Sequence, residues 1–303
     1  MAAADSLEDP ATRARAWLVR ARLALETGRL SDFDAAFTLC SALAEEVGQP
    51  TLRWSNSWTR LGRALLAGNL TTAERLARET AEIGRLAGQH DAVVFLGYQL
   101  FSVLSEQDRL HEIEGLVAEA AAFDTGLTIW KPLLARLHLE MGKPHQAEEI
   151  LDRFAQEGFV VPEGPWWWHT CGSWVAVCVA LKHLAGAAQL HRQMAPYAEQ
   201  LGFPLTGICC PAIAHHLGVL ATALGDWDEA ADRFEAATAT HERIAAPIWL
   251  ARTSLEWARM LLARRQAGDP PRARELLGQA LETARELGLT NIERKAVQLL
   301  KDE

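Results

Sequence analysis

The feature that most constrains this fold is self-similarity. Turn-like breaks that follow an apolar segment recur at Gly28, Gly68, Asp108, Gly142, Ala185-Gly186, Gly225 and Gly268. Gly28 and Gly268 stand 240 residues apart over six intervals, a mean period of 40. A second series falls between them, at Gly48, Gly88, Asp124-Thr125-Gly126, Gly158, Gly202, Ala245 and Gly288. Each period thus holds two segments of about 14 to 18 residues, and the spacing predicts a helical hairpin per period. A unit of that size cannot bury its apolar faces alone, so it has to stack on its neighbours.

Within the segments the apolar residues keep helical spacing. Leu276, Leu277, Ala280, Leu281 and Ala284 line one stripe, and Leu76, Ala77, Ile83 and Leu86 another. Trp174 to Leu181 also reads as an alternating strand, but the period places a helix there. Most prolines fall at joints, where a missing N–H does least harm. Pro132 and Pro196 stand near helix starts or would kink their helices.

The clearest unit runs from His215 to His241. Leu217-Gly218, Gly225, Trp227, Ala230, Phe234 and Ala237 have the spacing of the tetratricopeptide repeat, in which small residues let paired helices approach and large ones fill the gap to the next pair. Looser copies place Ala73, Ala147 and Ala273 five residues after Gly68, Gly142 and Gly268. Residues 212–290 further resemble the C-terminal helical-repeat region of bacterial LuxR-like and adenylate-cyclase-linked signal-transduction ATPases. The resemblance implies a cytoplasmic region that senses an inducer or partner and restrains an ATPase. The chain departs from that pattern in having no GxxxxGK[ST] phosphate loop, no cyclase segment and no helix-turn-helix after Leu289. ATPase activity is therefore not carried over. The expected fold is an all-α right-handed solenoid of about seven tetratricopeptide-like hairpins over residues 11–303. A helix near Asn291–Leu300 is its cap, and residues 1–10 form a disordered tail.

Composition narrows the partners. Thirty Lys and Arg against 39 Asp and Glu give a net charge of −9, which argues against a nucleic-acid surface. No apolar run reaches the roughly 18 to 20 residues of a membrane span. Asp5, Glu8 and Asp9 stand where a signal peptide needs a positive start. Five cysteines are read as reduced thiols.

Tryptophan is the outlier, 11 residues against two tyrosines. Three in a row, Trp166-Trp167-Trp168, point about 100° apart on a helix, so at least one has to face solvent, a groove or a partner. First helices of such hairpins line the concave side. The groove candidates are therefore Trp54, Trp58, Phe95, Tyr98, Trp130, Arg136, Trp168, His169, Trp174 and His215, with core packing as the competing reading for any single tryptophan. Aromatic area with dispersed guanidinium groups suits a small aromatic or anionic ligand. A protein or peptide in the groove is the alternative, and the chain is compatible with a homo-oligomer. A stand-alone enzyme with a tryptophan-lined pocket for an apolar or cationic molecule is the third reading, but no catalytic residue, metal or cofactor is assigned. Cys209-Cys210 with His215-His216, and His169 with Cys171, lack the spacing of a zinc site. The pairing of Cys171 with His169 or His183 lacks an oxyanion donor.

Overall fold

The computed structural model describes residues 7–122, 129–164, 166–202 and 210–302, apart from the Glu26 side chain. The expected tail falls largely on residues 1–6, outside this range, as do the Asp124–Gly126 break and Cys209. The described residues form fifteen α-helices and no strand. They are α1 (Pro10–Glu26), α2 (Leu30–Val47), α3 (Pro50–Leu66), α4 (Leu70–Leu86), α5 (Ala92–Leu104), α6 (Glu114–Ala122), α7 (Trp130–Glu140), α8 (Pro144–Gln156), α9 (Trp167–Ala180), α10 (Leu184–Met194), α11 (Ile213–Leu224), α12 (Trp227–Arg243), α13 (Pro247–Arg264), α14 (Asp269–Leu287) and α15 (Thr290–Asp302). No helix is long and apolar enough to cross a membrane.

The helices start and stop for local reasons. Proline opens α1, α3, α8 and α13, where its missing N–H would be unpaired anyway. Asp9, Asn69 and Asp226 accept the N–H groups of Thr12, Thr72 and Glu229 at 2.8, 3.0 and 3.2 Å, capping α1, α4 and α12. Gly225 ends α11 at φ 81°, a conformation that costs glycine nothing. The segment Trp174–Leu181 is helical to Ala180, with Leu181 as the cap, and Pro132 stands in the first turn of α7.

One break differs from expectation. Gly186 lies inside α10, and the left-handed residue is Lys182, at φ 54°. Gly186 is small because Phe159 and His183 crowd it: a Cβ there would stand 2.8 Å from Phe159 Cε2. The connection after α8 is pinned by its apolar residues. Phe159 and Val161 are buried, and Phe159 packs on Phe154 and Trp174.

Each helix packs on its neighbours in sequence, and α7, α9, α11 and α13 also touch in order. The chain then meets itself. A Cβ on Gly28 would lie 2.5 Å from Arg243 Nε, and one on Gly68 2.7 Å from Leu287 Cδ1. The Asn291 N–H donates to the Glu106 carbonyl at 3.1 Å. Successive early turns therefore meet successive late helix ends. One apolar cluster accordingly runs from Trp17 to Ala296, while a second covers the middle, from Ala135 to Leu220.

Candidate functional site

The inner faces of α5, α7, α9, α11 and α13 surround a cavity of about 510 Å3, and α15 supplies a further wall. Each helix contributes one stripe. Trp168, Gly172, Val175 and Val179 are successive turns of α9, and Trp249, Arg252, Glu256 and Arg259 successive turns of α13. The exposed lining residues Gly142, Ala180, Arg259 and Arg294 mark where the cavity reaches solvent. Its volume is in the range of small-molecule sites.

The cavity is rich in charge, and nearly all of it is matched. Arg252 ion-pairs with Glu106, which is 1% exposed, and lies over the Trp249 ring. Lys295 Nζ and Asn291 Nδ2 both donate to Glu140 Oε2, at 3.0 and 3.2 Å. Arg294 clasps Asp108 with two bonds of 3.1 Å, and Arg259 pairs with Glu256 at 3.0 Å. Burial alone would raise the Glu140 pKa. Lys295 and Arg136 overcome that and hold it at about 2, so it stays ionised.

Arg136 is the exception. Its guanidinium lies over the Phe101 ring, 5.0 Å from the centroid. Its Nε is buried with no partner, and no carboxylate of a described residue stands within ion-pairing distance. Burial, then the like charge of Arg252, lowers its pKa. Arginine nevertheless keeps its proton in proteins. A half-buried cation with no hydrogen-bonded anion is costly to fold, and Glu140 and Glu106 offset its charge only at a distance.

Four imidazoles lie deep in the same region. Burial holds His169, His216 and His241 at about 3 and His215 well below its ordinary value, so all four are neutral near pH 7. His169 meets Tyr98 edge to face at 3.9 Å. His215 Nδ1 is 3.0 Å from Thr253 Oγ1, which is 3.2 Å from His241 Nδ1. The Ala212 N–H donates to His241 Nε2 at 2.9 Å.

The sequence-derived candidates divide. Tyr98, Arg136, Trp168, His169 and His215 line the cavity together. Trp54, Trp58 and Phe95 do not: with Trp166 they form a separate aromatic cluster, in which Trp58 stacks on Phe95 at 4.4 Å. Trp130 is 2% exposed, and its ring fills the space left by Gly97. Trp174 is core as well, stacked on Phe154 at 4.5 Å. These five are taken up in packing between helices. The consecutive tryptophans diverge as helix geometry demands. Trp166 joins the aromatic cluster, Trp167 the second core, and Trp168 the cavity.

Trp249, Arg252 and Lys295 line the cavity but were not among the groove candidates, and His216 was weighed only as a metal ligand. Extending the first-helix rule to α13 would have found Trp249 and Arg252. Lys295 has no local signal, since it reaches the cavity only where the chain meets itself. Cys171 and Cys178 are buried core thiols, and burial pushes the Cys178 thiol up to about 12. No group of three or more His, Cys, Asp or Glu among the described residues could hold a metal ion. No protein-family model matches the chain and no curated protein matches it, so the chemistry of this cavity rests on its own side chains.

Proposed function

We propose that the chain is a ligand-sensing helical-repeat module that binds a small organic anion in its central cavity. In this reading seven tetratricopeptide-like hairpins, α1/α2 through α13/α14, wind as a right-handed superhelix with α15 as the cap. The ordered contacts of Gly28 with Arg243, Gly68 with Leu287 and Ser105 with Asn291 support one superhelical turn overlapping itself. The observation that carries the function is Arg136, a half-buried guanidinium in the cavity wall that makes no ion pair while every neighbouring cation is paired. A site that pays this desolvation cost is matched by a ligand that brings the anion. Tyr98, Trp168 and Trp249 give that ligand apolar walls. A regulatory role follows the resemblance of residues 212–290 to sensor regions of signal-transduction ATPases.

The test is calorimetric titration of the native protein and Arg136→Met with aromatic monocarboxylates, dicarboxylates and nucleoside monophosphates, alongside melting temperatures. The expected result is micromolar binding of at least one class by the native protein. A loss of about 100-fold or more should follow in Arg136→Met, whose melting temperature stays at or above native because a half-buried charge without an ion pair is gone. No binding at millimolar concentration, or equal binding by the variant, overturns the proposal.

A further inference from the structure

We propose that the occupant is an aromatic monocarboxylate carrying a neutral oxygen acceptor, and that a relay from the backbone through His241 and Thr253 holds His215 as the donor to that oxygen. This rests on reading the cavity as an organic-anion site and adds its charge and its second recognition point.

The charge follows from the pairing. Arg252, Lys295, Arg294 and Arg259 each ion-pair with a carboxylate, which leaves Arg136 as the one described lining cation without an ion pair; Glu140 and Glu106, which act on it at a distance, are already paired with Lys295 and Arg252. The imidazoles contribute none, because burial keeps them neutral. One cation without an ion pair calls for one negative charge, and a dianion would bury a second charge without a partner.

The donor follows from proton bookkeeping along three groups. The Ala212 N–H can only donate, so His241 Nε2, 2.9 Å away, has to present a lone pair. A neutral imidazole has a single proton, which places that of His241 on Nδ1, facing Thr253 Oγ1 at 3.2 Å. Thr253 accepts there and is left with its own proton to give. Thr222, Thr238 and Ser102 return theirs to the carbonyl four residues back, at 2.8, 2.8 and 3.0 Å. Thr253 makes no such bond; its other partner is His215 Nδ1, at 3.0 Å. That nitrogen accepts, so the His215 proton sits on Nε2. Nε2 bonds to no described residue, and His215 lines the cavity. A main-chain amide that cannot titrate thus fixes which edge of a remote ring donates. A neutral donor of this kind recognises a carbonyl or ether oxygen and leaves the carboxylate to Arg136.

Two measurements decide the matter. Long-range 1H–15N correlation spectra of the native protein, with His215 assigned by its absence in His215→Gln, should show Nε2 protonated and Nδ1 bare from pH 6 to 8. Titration then compares phenylpyruvate with 3-phenylpropionate, and 4-acetylbenzoate with 4-ethylbenzoate. Each pair shares a ring and a carboxylate and differs in one carbonyl. The native protein should prefer the carbonyl member of at least one pair by about 10-fold. Thr253→Val should reduce that preference below about 3-fold while the carbonyl-free member binds within about 3-fold of native. A proton on Nδ1, a charged ring, no preference in either pair, or a preference that survives Thr253→Val overturns the proposal. If Thr253→Val does not fold, the spectra and the paired titrations on the native protein still decide. Binding that needs Arg136 but ignores the carbonyl would leave the organic-anion reading standing and remove this one; no binding of any probe to 10 mM would remove both.

Discussion

His169, His215, His216 and His241 are neutral because burial penalises the imidazolium more than any neighbour favours it. In the unfolded chain each would titrate near 6.5. Below that pH the unfolded state binds protons that the folded state refuses, so stability rises with pH and is lost as pH falls. The loss opens near pH 6.5 and continues towards pH 3, where three of the four would at last charge in place. Glu140 adds to it lower down: its carboxyl is held at about 2 against an ordinary 4.5, and its contribution disappears as pH falls between those values. Urea denaturation from pH 8 to pH 4 should show a plateau above about pH 7 and a midpoint that falls ever more steeply below pH 6.5. A flat profile down to pH 4 would mean that these imidazoles are not buried as described.

Among the elements, the turns were the most legible part of the sequence. Gly28, Gly48, Gly68, Gly88, Gly142, Gly158, Gly225, Gly268 and Gly288 all take positive φ at the breaks where glycine was read as a terminator. The exceptions carry no such mark. Asp108 and Ala245 adopt the same conformation, at φ 55° and 46°, at breaks read from the period without a glycine, and Lys182 adopts it at φ 54° where Gly186 had been read as the break. Three of the groove candidates, Tyr98, Arg136 and His215, were legible as residues that line the cavity. Others were misjudged where an aromatic ring proved to be a spacer, as with Trp130 against Gly97. Gly218 of α11 shows how tight such contacts are. A Cβ there would stand 2.8 Å from the Phe234 ring, and Phe234 is fully buried on α12. Gly218→Leu should therefore cost at least about 3 kcal/mol, the upper end of overpacking penalties, in chemical denaturation. A variant of native stability would refute the pairing of α11 with α12 at that register.

At the scale of the whole molecule, the decisive contacts join residues far apart in sequence. Asn291 bonds to the Ser105 carbonyl at 2.8 Å and to the Glu106 carbonyl at 3.1 Å, Lys295 neutralises Glu140, and Ile292 and Ala296 are buried. None of this had a local signal, because it depends on the accumulated rotation of many helices rather than on any one of them. Ending the chain at Leu289 should expose the cavity and leave Glu140 without its lysine. The Lys295–Glu140 pair is only partly buried, so its loss should cost less than the roughly 3 to 5 kcal/mol of a fully buried pair. The shortened chain should melt lower, bind a hydrophobic dye and lose affinity for organic anions. An unchanged melting temperature would show that α15 is not part of the cavity wall.

The join between Glu106, Glu140 and α15 also sets an order of events during synthesis. A chain leaves the ribosome from its N-terminus, and α1 to α14 find partners among helices made just before or just after them. Tyr98, Arg136 and His215 are thus synthesised before Asn291 and Lys295, with 186 residues separating Ser105 from the asparagine that binds its carbonyl. Long-range closure of this kind is slow compared with hairpin formation. For that interval the nascent protein presents its guanidinium and aromatic walls in an open vestibule, and a ligand arriving then needs no gate to open. Whatever the cavity holds can be enclosed as the last helix is laid down.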